Sequence, residues 1–98
     1  MEVVAHGHTL TQLNGHWLVD GSVVALSDRQ SAVLEALVGA GGRVLSREEL
    51  LRQAWTASEA DTHAVEMTVA RLRSALGPAS KIVQTVVKRG YRLAAAEG

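Results

Sequence analysis

Ninety-eight residues with 47% hydrophobic side chains suffice for one domain, and with no Phe and a single Tyr its core must come from Val, Leu, Ala and two Trp. The absence of cysteine excludes a disulfide scaffold, a thiolate zinc site and a cysteine nucleophile. The net charge is zero but polarised, with four arginines against eight acids in residues 1–61 and six cations against two acids in residues 62–98. Such asymmetry turns one half of a domain toward a polyanion.

No run nears the roughly 18 consecutive apolar residues of a membrane span, and the N-terminus lacks a basic start followed by an apolar stretch. A cytoplasmic chain without a membrane partner is expected. From Val3 to Leu26 the pattern is short alternating runs, VVAH, HTLTQL, HWLV and SVVAL, with Asn14-Gly15 and Asp20-Gly21 as tight-turn signals. These predict an antiparallel meander of three or four strands that needs a helical layer over its apolar face. His6, His8 and His16 fall in this sheet and read as scaffold, because no carboxylate or thiolate follows at ligand spacing. No metal and no cofactor are expected.

Ser27 opens the first helix, and Gln30 three residues later completes a capping box. Val33, Leu34, Leu37 and Val38 mark its buried face. It stops in the run Gly39 to Gly42, which lacks the lysine and spacing of a phosphate loop. After an extended link, Arg43-Val44-Leu45, Ser46 and Glu49 form a second capping box, and Leu50, Leu51, Ala54 and Trp55 give the second helix its stripe. Both serines are caps rather than nucleophiles, since neither has a partnered base. Trp17 and Trp55 read as core or interface anchors, because three aromatics are too few for a stacking platform.

Residues 56–61, TASEAD, form a polar, acidic turn into THAVEMTVARLRSAL at 62–76. Val65, Val69, Leu72 and Leu76 recur at i, i+4, i+7 and i+11, so they share one stripe that must pack inward. The opposite arc carries His63, Met67, Ala70, Arg71 and Ser74, flanked by Thr68 and Arg73, which leaves the helix slim enough for a groove. Gly77-Pro78 ends it. IVQTVV and YRLA then flank Lys88-Arg89-Gly90, which reads as a hairpin with a doubly charged tip. No acid, base and nucleophile converge by spacing, so an enzyme is not expected.

GRVLSREELLRQAW, AVEMTVARLRSALG and IVQTVVKRGYRL together resemble, over nearly the whole chain, the winged-helix effector domain of OmpR/PhoB-type response regulators of two-component systems. The resemblance implies a single α+β winged helix-turn-helix domain over 1–98. Its parts would be an N-terminal antiparallel four-stranded sheet (1–26), a three-helix core (27–76) with recognition helix 62–76, and a C-terminal β-hairpin wing (82–94). It also implies sequence-specific binding to double-stranded promoter DNA in transcription regulation, often as tandem dimers on direct repeats, with the helix in the major groove and the wing in the minor groove. The DNA-binding residues would be His63, Met67, Thr68, Ala70, Arg71, Arg73, Ser74, Thr85, Lys88 and Arg89. Arg71 falls where the family reads a base edge, Arg73 where it grips a phosphate, and Thr85 matches a backbone-contacting threonine. Tyr91 matches the aromatic that fixes the hairpin on the core.

The chain departs from the pattern at His63 and Val87, where the family often has Arg, at Ala70, commonly basic, and at Lys88, commonly Gly. With about four phosphates neutralised, the salt slope of binding would be about −3.6. A complete regulator carries a receiver domain, for which no room exists, so the chain is expected to be fused to or excised from an N-terminal regulatory or enzyme domain. RNA polymerase could meet the 56–61 turn. The neutral charge, Ala70 and Val87 keep a second reading open: a protein-interaction winged helix docking on a fused enzyme domain or a polymerase subunit.

Overall fold

The computed structural model describes residues 1–56 and 60–94. Two-residue turns with successive positive φ angles match the twist of antiparallel strands. His6-Gly7, Asn14-Gly15 and Asp20-Gly21 all have this geometry, with φ between 48° and 85°. They fold β1 (Glu2–Ala5), β2 (His8–Leu13), β3 (His16–Val19) and β4 (Ser22–Val24) into one antiparallel sheet in the order β1-β2-β3-β4. Leu10 lies opposite both Val3 and Val19, and Trp17 lies opposite Val24, so one face collects the apolar side chains. The Trp17 indole N–H donates to Ser31 Oγ at 2.9 Å, fastening the sheet to the helical layer without an unpaired buried donor.

That layer is α1 (Asp28–Gly39), α2 (Arg47–Ala54) and α3 (Thr62–Leu76). Both expected capping boxes form, at Ser27 with Gln30 and at Ser46 with Glu49. The Ser46 N–H bond holds the Glu49 carboxyl below the ordinary glutamate range. Val33, Leu34, Leu37, Leu50, Val65, Val69, Leu72 and Leu76 enter one core with Ala5, Leu10, Trp17 and Val19 of the sheet. Each large side chain there contributes roughly 1.5 to 3 kcal/mol. Val38, Leu51 and Trp55, expected in the buried stripes, are only half-buried.

Past α3 the chain departs from the expected strand. Gly77 takes φ 56° and closes the helix, and a 3₁₀ helix follows over Gly77–Ile82 with Pro78 at its first turn. Ala79 and Ile82 are buried there, so Ile82 anchors the core while its carbonyl accepts from the Ala94 N–H at 2.8 Å at the base of the wing. The wing is β5 (Val83–Val86) paired antiparallel with β6 (Gly90–Leu93). A third segment joins it: Leu45 donates to the Tyr91 carbonyl at 2.8 Å and accepts from the Tyr91 N–H at 2.9 Å. This long-range bridge brings the backbones so close that a Cβ at Gly90 would overlap the Leu45 carbonyl oxygen, and Gly90 has φ 140°. Only glycine fits there. Among the described residues, no helix is long and apolar enough to cross a membrane.

Candidate nucleic-acid interface

α3 starts where Asp61 accepts from the Ala64 N–H at 3.1 Å, a cap within the acidic turn. Its apolar stripe is buried at Val65, Val69, Leu72 and Leu76. That packing fixes the rotation of the helix, and His63, Met67, Ala70, Arg71 and Ser74 consequently face solvent, with Thr68 and Arg73 half-buried. At about 100° per residue, Arg71 and Arg73 leave the axis some 200° apart. The two guanidinium groups therefore do not form a pair. Arg71 lines a shallow cleft together with Thr68 and with Ser27, Arg29 and Gln30 at the start of α1, whereas Arg73 turns to the wing.

Arg73 Nε donates to the Val83 carbonyl at 3.0 Å, one Nη donates to Thr85 Oγ1 at 2.7 Å, and the guanidinium carbon lies 5.6 Å from the centroid of the Tyr91 ring. Two of its three nitrogens are thus bonded within the chain. The expected phosphate grip narrows to the remaining nitrogen, and Arg73 becomes the strut that holds the wing at its angle to α3. Thr85 is exposed and is the other end of that strut. Tyr91 is 8% exposed, and burial pushes its phenol above the ordinary tyrosine value. This aromatic does seat the hairpin on the core.

At the wing tip, Val87, Lys88 and Arg89 are exposed, Val87 at 77%. The Arg89 N–H donates to the Val86 carbonyl at 2.9 Å across the turn, and Lys88 takes φ 64°. The resemblance placed glycine at this position, and the positive φ gives the reason: a side chain there carries strain. Between wing and helices lies a cleft lined by Arg47, Glu66 and residues 85–91. Arg47 pairs with Glu66 at 3.0 Å. Glu66 on α3 is thereby held by α2.

Arg47 and Arg29 also line these two clefts, a placement that no residue spacing announced. Both stand in the first turn of a helix, where a cation opposes the macrodipole by roughly 0.3 to 1 kcal/mol. That local misfit was the available signal. On the sheet, Asp20 Oδ2 lies 2.6 Å from His8 Nδ1 and Asp20 also accepts from the Thr9 N–H, which holds its carboxyl below the ordinary aspartate value. A carboxylate thus does reach a histidine, through a turn rather than through spacing. Among the described residues no three His, Asp or Glu gather at metal-ligand distances. Of the 56–61 turn expected to face a polymerase, residues 57–59 lie outside the described residues.

The arrangement presents guanidinium, ammonium and hydroxyl groups along one helix and a hairpin, a set of donors for phosphate oxygens and base edges. Residues 21–93 match the family described as "Transcriptional regulatory protein, C terminal". The transcriptional regulatory protein CutR of Streptomyces coelicolor is 43% identical over 75 residues, covering 76% of this chain and 34% of CutR. The chain thus spans about a third of that relative's length. The DNA-binding domain of RstA from Klebsiella pneumoniae, solved in complex with the RstA box, superposes with a TM-score of 0.73 at 26% identity, covering 95% of this chain and 96% of that one. The OmpR/PhoB homologue DrrB of Thermotoga maritima shares the fold, with a TM-score of 0.80 at 19% identity over 95% of this chain and 44% of that one. The chain belongs to the C-terminal family of transcriptional regulatory proteins, the winged-helix domains of OmpR/PhoB-type regulators.

Proposed function

We propose that this chain is the sequence-specific double-stranded DNA-binding module of a transcription regulator, with α3 in the major groove and the wing in the minor groove. One observation carries this reading. The buried stripe of α3 turns a slim arc of His63, Met67, Ala70, Arg71 and Ser74 outward, while Arg73 braces beside it a hairpin whose tip exposes Lys88 and Arg89. Arg71 reads a base, since bidentate Arg to guanine is the commonest specific major-groove contact. Lys88, Arg89, Thr85 and the remaining nitrogen of Arg73 meet phosphates, which position the module without reading sequence. The RstA domain, a relative of matching length solved in complex with its box, supports DNA binding by this fold. CutR's greater length supports a fused regulatory domain. Neither RNA polymerase nor catalysis enters this reading.

Selection of bound sequences from a random duplex pool, followed by titration of Arg71→Ala on the selected site and on single-base variants of it, tests the proposal. Arg71→Ala is expected to erase discrimination at one base pair, about 1 to 3 kcal/mol. Equal loss on every sequence would remove the base-reading role. No enrichment from the pool and no binding of mixed duplex at low salt would favour the protein-interaction reading, for which the 77% exposure of Val87 at the wing tip is the motivating feature.

A further inference from the structure

Arg29 is one of the cations outside the interface formed by α3 and the wing. It stands in the first turn of α1, one residue after Asp28, where neither the helix dipole nor a capping bond accounts for it. Its guanidinium carbon sits 4.8 Å from the centroid of the Trp55 ring at the end of α2. A guanidinium laid on an aromatic face keeps its five N–H donors in its own plane, directed outward from the stack, and gives up rotamer freedom before any ligand arrives. Among the described residues, Arg43 and Arg47 meet carboxylates, Arg73 meets the wing and Arg92 meets the Gln84 carboxamide. The Arg29 head group rests on a ring instead. It lines the cleft it shares with Ser27, Gln30, Thr68 and Arg71.

With Arg71 directed at base edges from α3, the same cleft lies beside the helix on the flank away from the wing. A duplex whose major groove receives α3 has a phosphate strand along each wall of that groove. The wing side offers Thr85, Lys88 and Arg89; on the other flank, Arg29 lines the cleft beside Arg71. We propose that Arg29, held by Trp55, binds a backbone phosphate on the wall opposite the wing, with the Thr68 hydroxyl beside it, so that α1 is part of the DNA interface. This rests on the DNA-binding reading above. It also supplies, on one wall, a phosphate contact that the departures at Ala70 and Val87 remove elsewhere.

The test is a salt titration of duplex binding, by fluorescence anisotropy, for the wild type, Arg29→Gln and Arg29→Lys, each on the selected site and on a mismatched one. Arg29 is exposed in a first turn, so both variants should fold, and thermal unfolding of each verifies it. The expected result is a slope of log affinity against log salt that is shallower by about 0.9 for Arg29→Gln. The preference between the two sites should not change, and Arg29→Lys should restore the slope. An unchanged slope overturns the phosphate contact and leaves the DNA reading standing. A changed site preference overturns it in favour of base reading. A wild type that binds neither duplex overturns both.

Discussion

Replacing Arg73 with methionine keeps the apolar stem that packs along α3 and removes the head group that ties the wing to it. Three contacts go. The hydrogen bond to the carbonyl of buried Val83 is charge-assisted, and its loss costs about 1.5 kcal/mol; the bond to exposed Thr85 is screened by water and is worth about 0.5 kcal/mol. The cation–π contact with Tyr91, at 5.6 Å and partly exposed, adds about 0.5 kcal/mol. The sum, about 2.5 kcal/mol, corresponds to a fall in Tm of roughly 10 to 20 °C for a domain of this size. Thermal unfolding followed by circular dichroism reads it. Arg73→Lys should recover only part of the loss, because a single ammonium cannot serve the Nε and Nη directions together. A Tm for Arg73→Met within about 3 °C of wild type would refute the strut, and would return Arg73 to the role of a plain phosphate contact.

At the wing tip, Lys88 holds a φ of 64°, so Lys88→Gly should be more stable than Lys88→Ala by about 1 kcal/mol in denaturant unfolding. Both should lose duplex affinity on all sequences alike; equal stability of the two would show that the turn carries no left-handed strain. Tyr91 is the chain's single tyrosine, so near-UV absorbance reports its ionisation alone. Burial raises its folded pKa above the unfolded value, hence the unfolded chain ionises first. The phenol's contribution to stability is complete below the ordinary tyrosine value and declines as pH rises through it. Coincident titration midpoints in native and denatured protein would contradict the seating of Tyr91 in the core.

Several features were readable from the chain alone because their causes are local. A capping box needs only residues three apart, and Ser27 with Gln30 and Ser46 with Glu49 formed as written. The i, i+4, i+7, i+11 stripe of α3 fixed which side of that helix faces out, since a single period decides it. The Asn-Gly and Asp-Gly turns carried their own dihedral preference. What the tertiary structure decided are contacts between residues far apart in the chain and close in space. No periodicity announces that Leu45 will bridge Tyr91 and leave Gly90 no room for a Cβ, or that Ile82 will turn inward through a 3₁₀ helix. Nor could spacing tell which partner each arginine finds. Arg73 goes to the wing, Arg47 to Glu66 and Arg29 to the Trp55 ring, because a long flexible side chain reaches several neighbours and only packed backbones settle which of them is within reach.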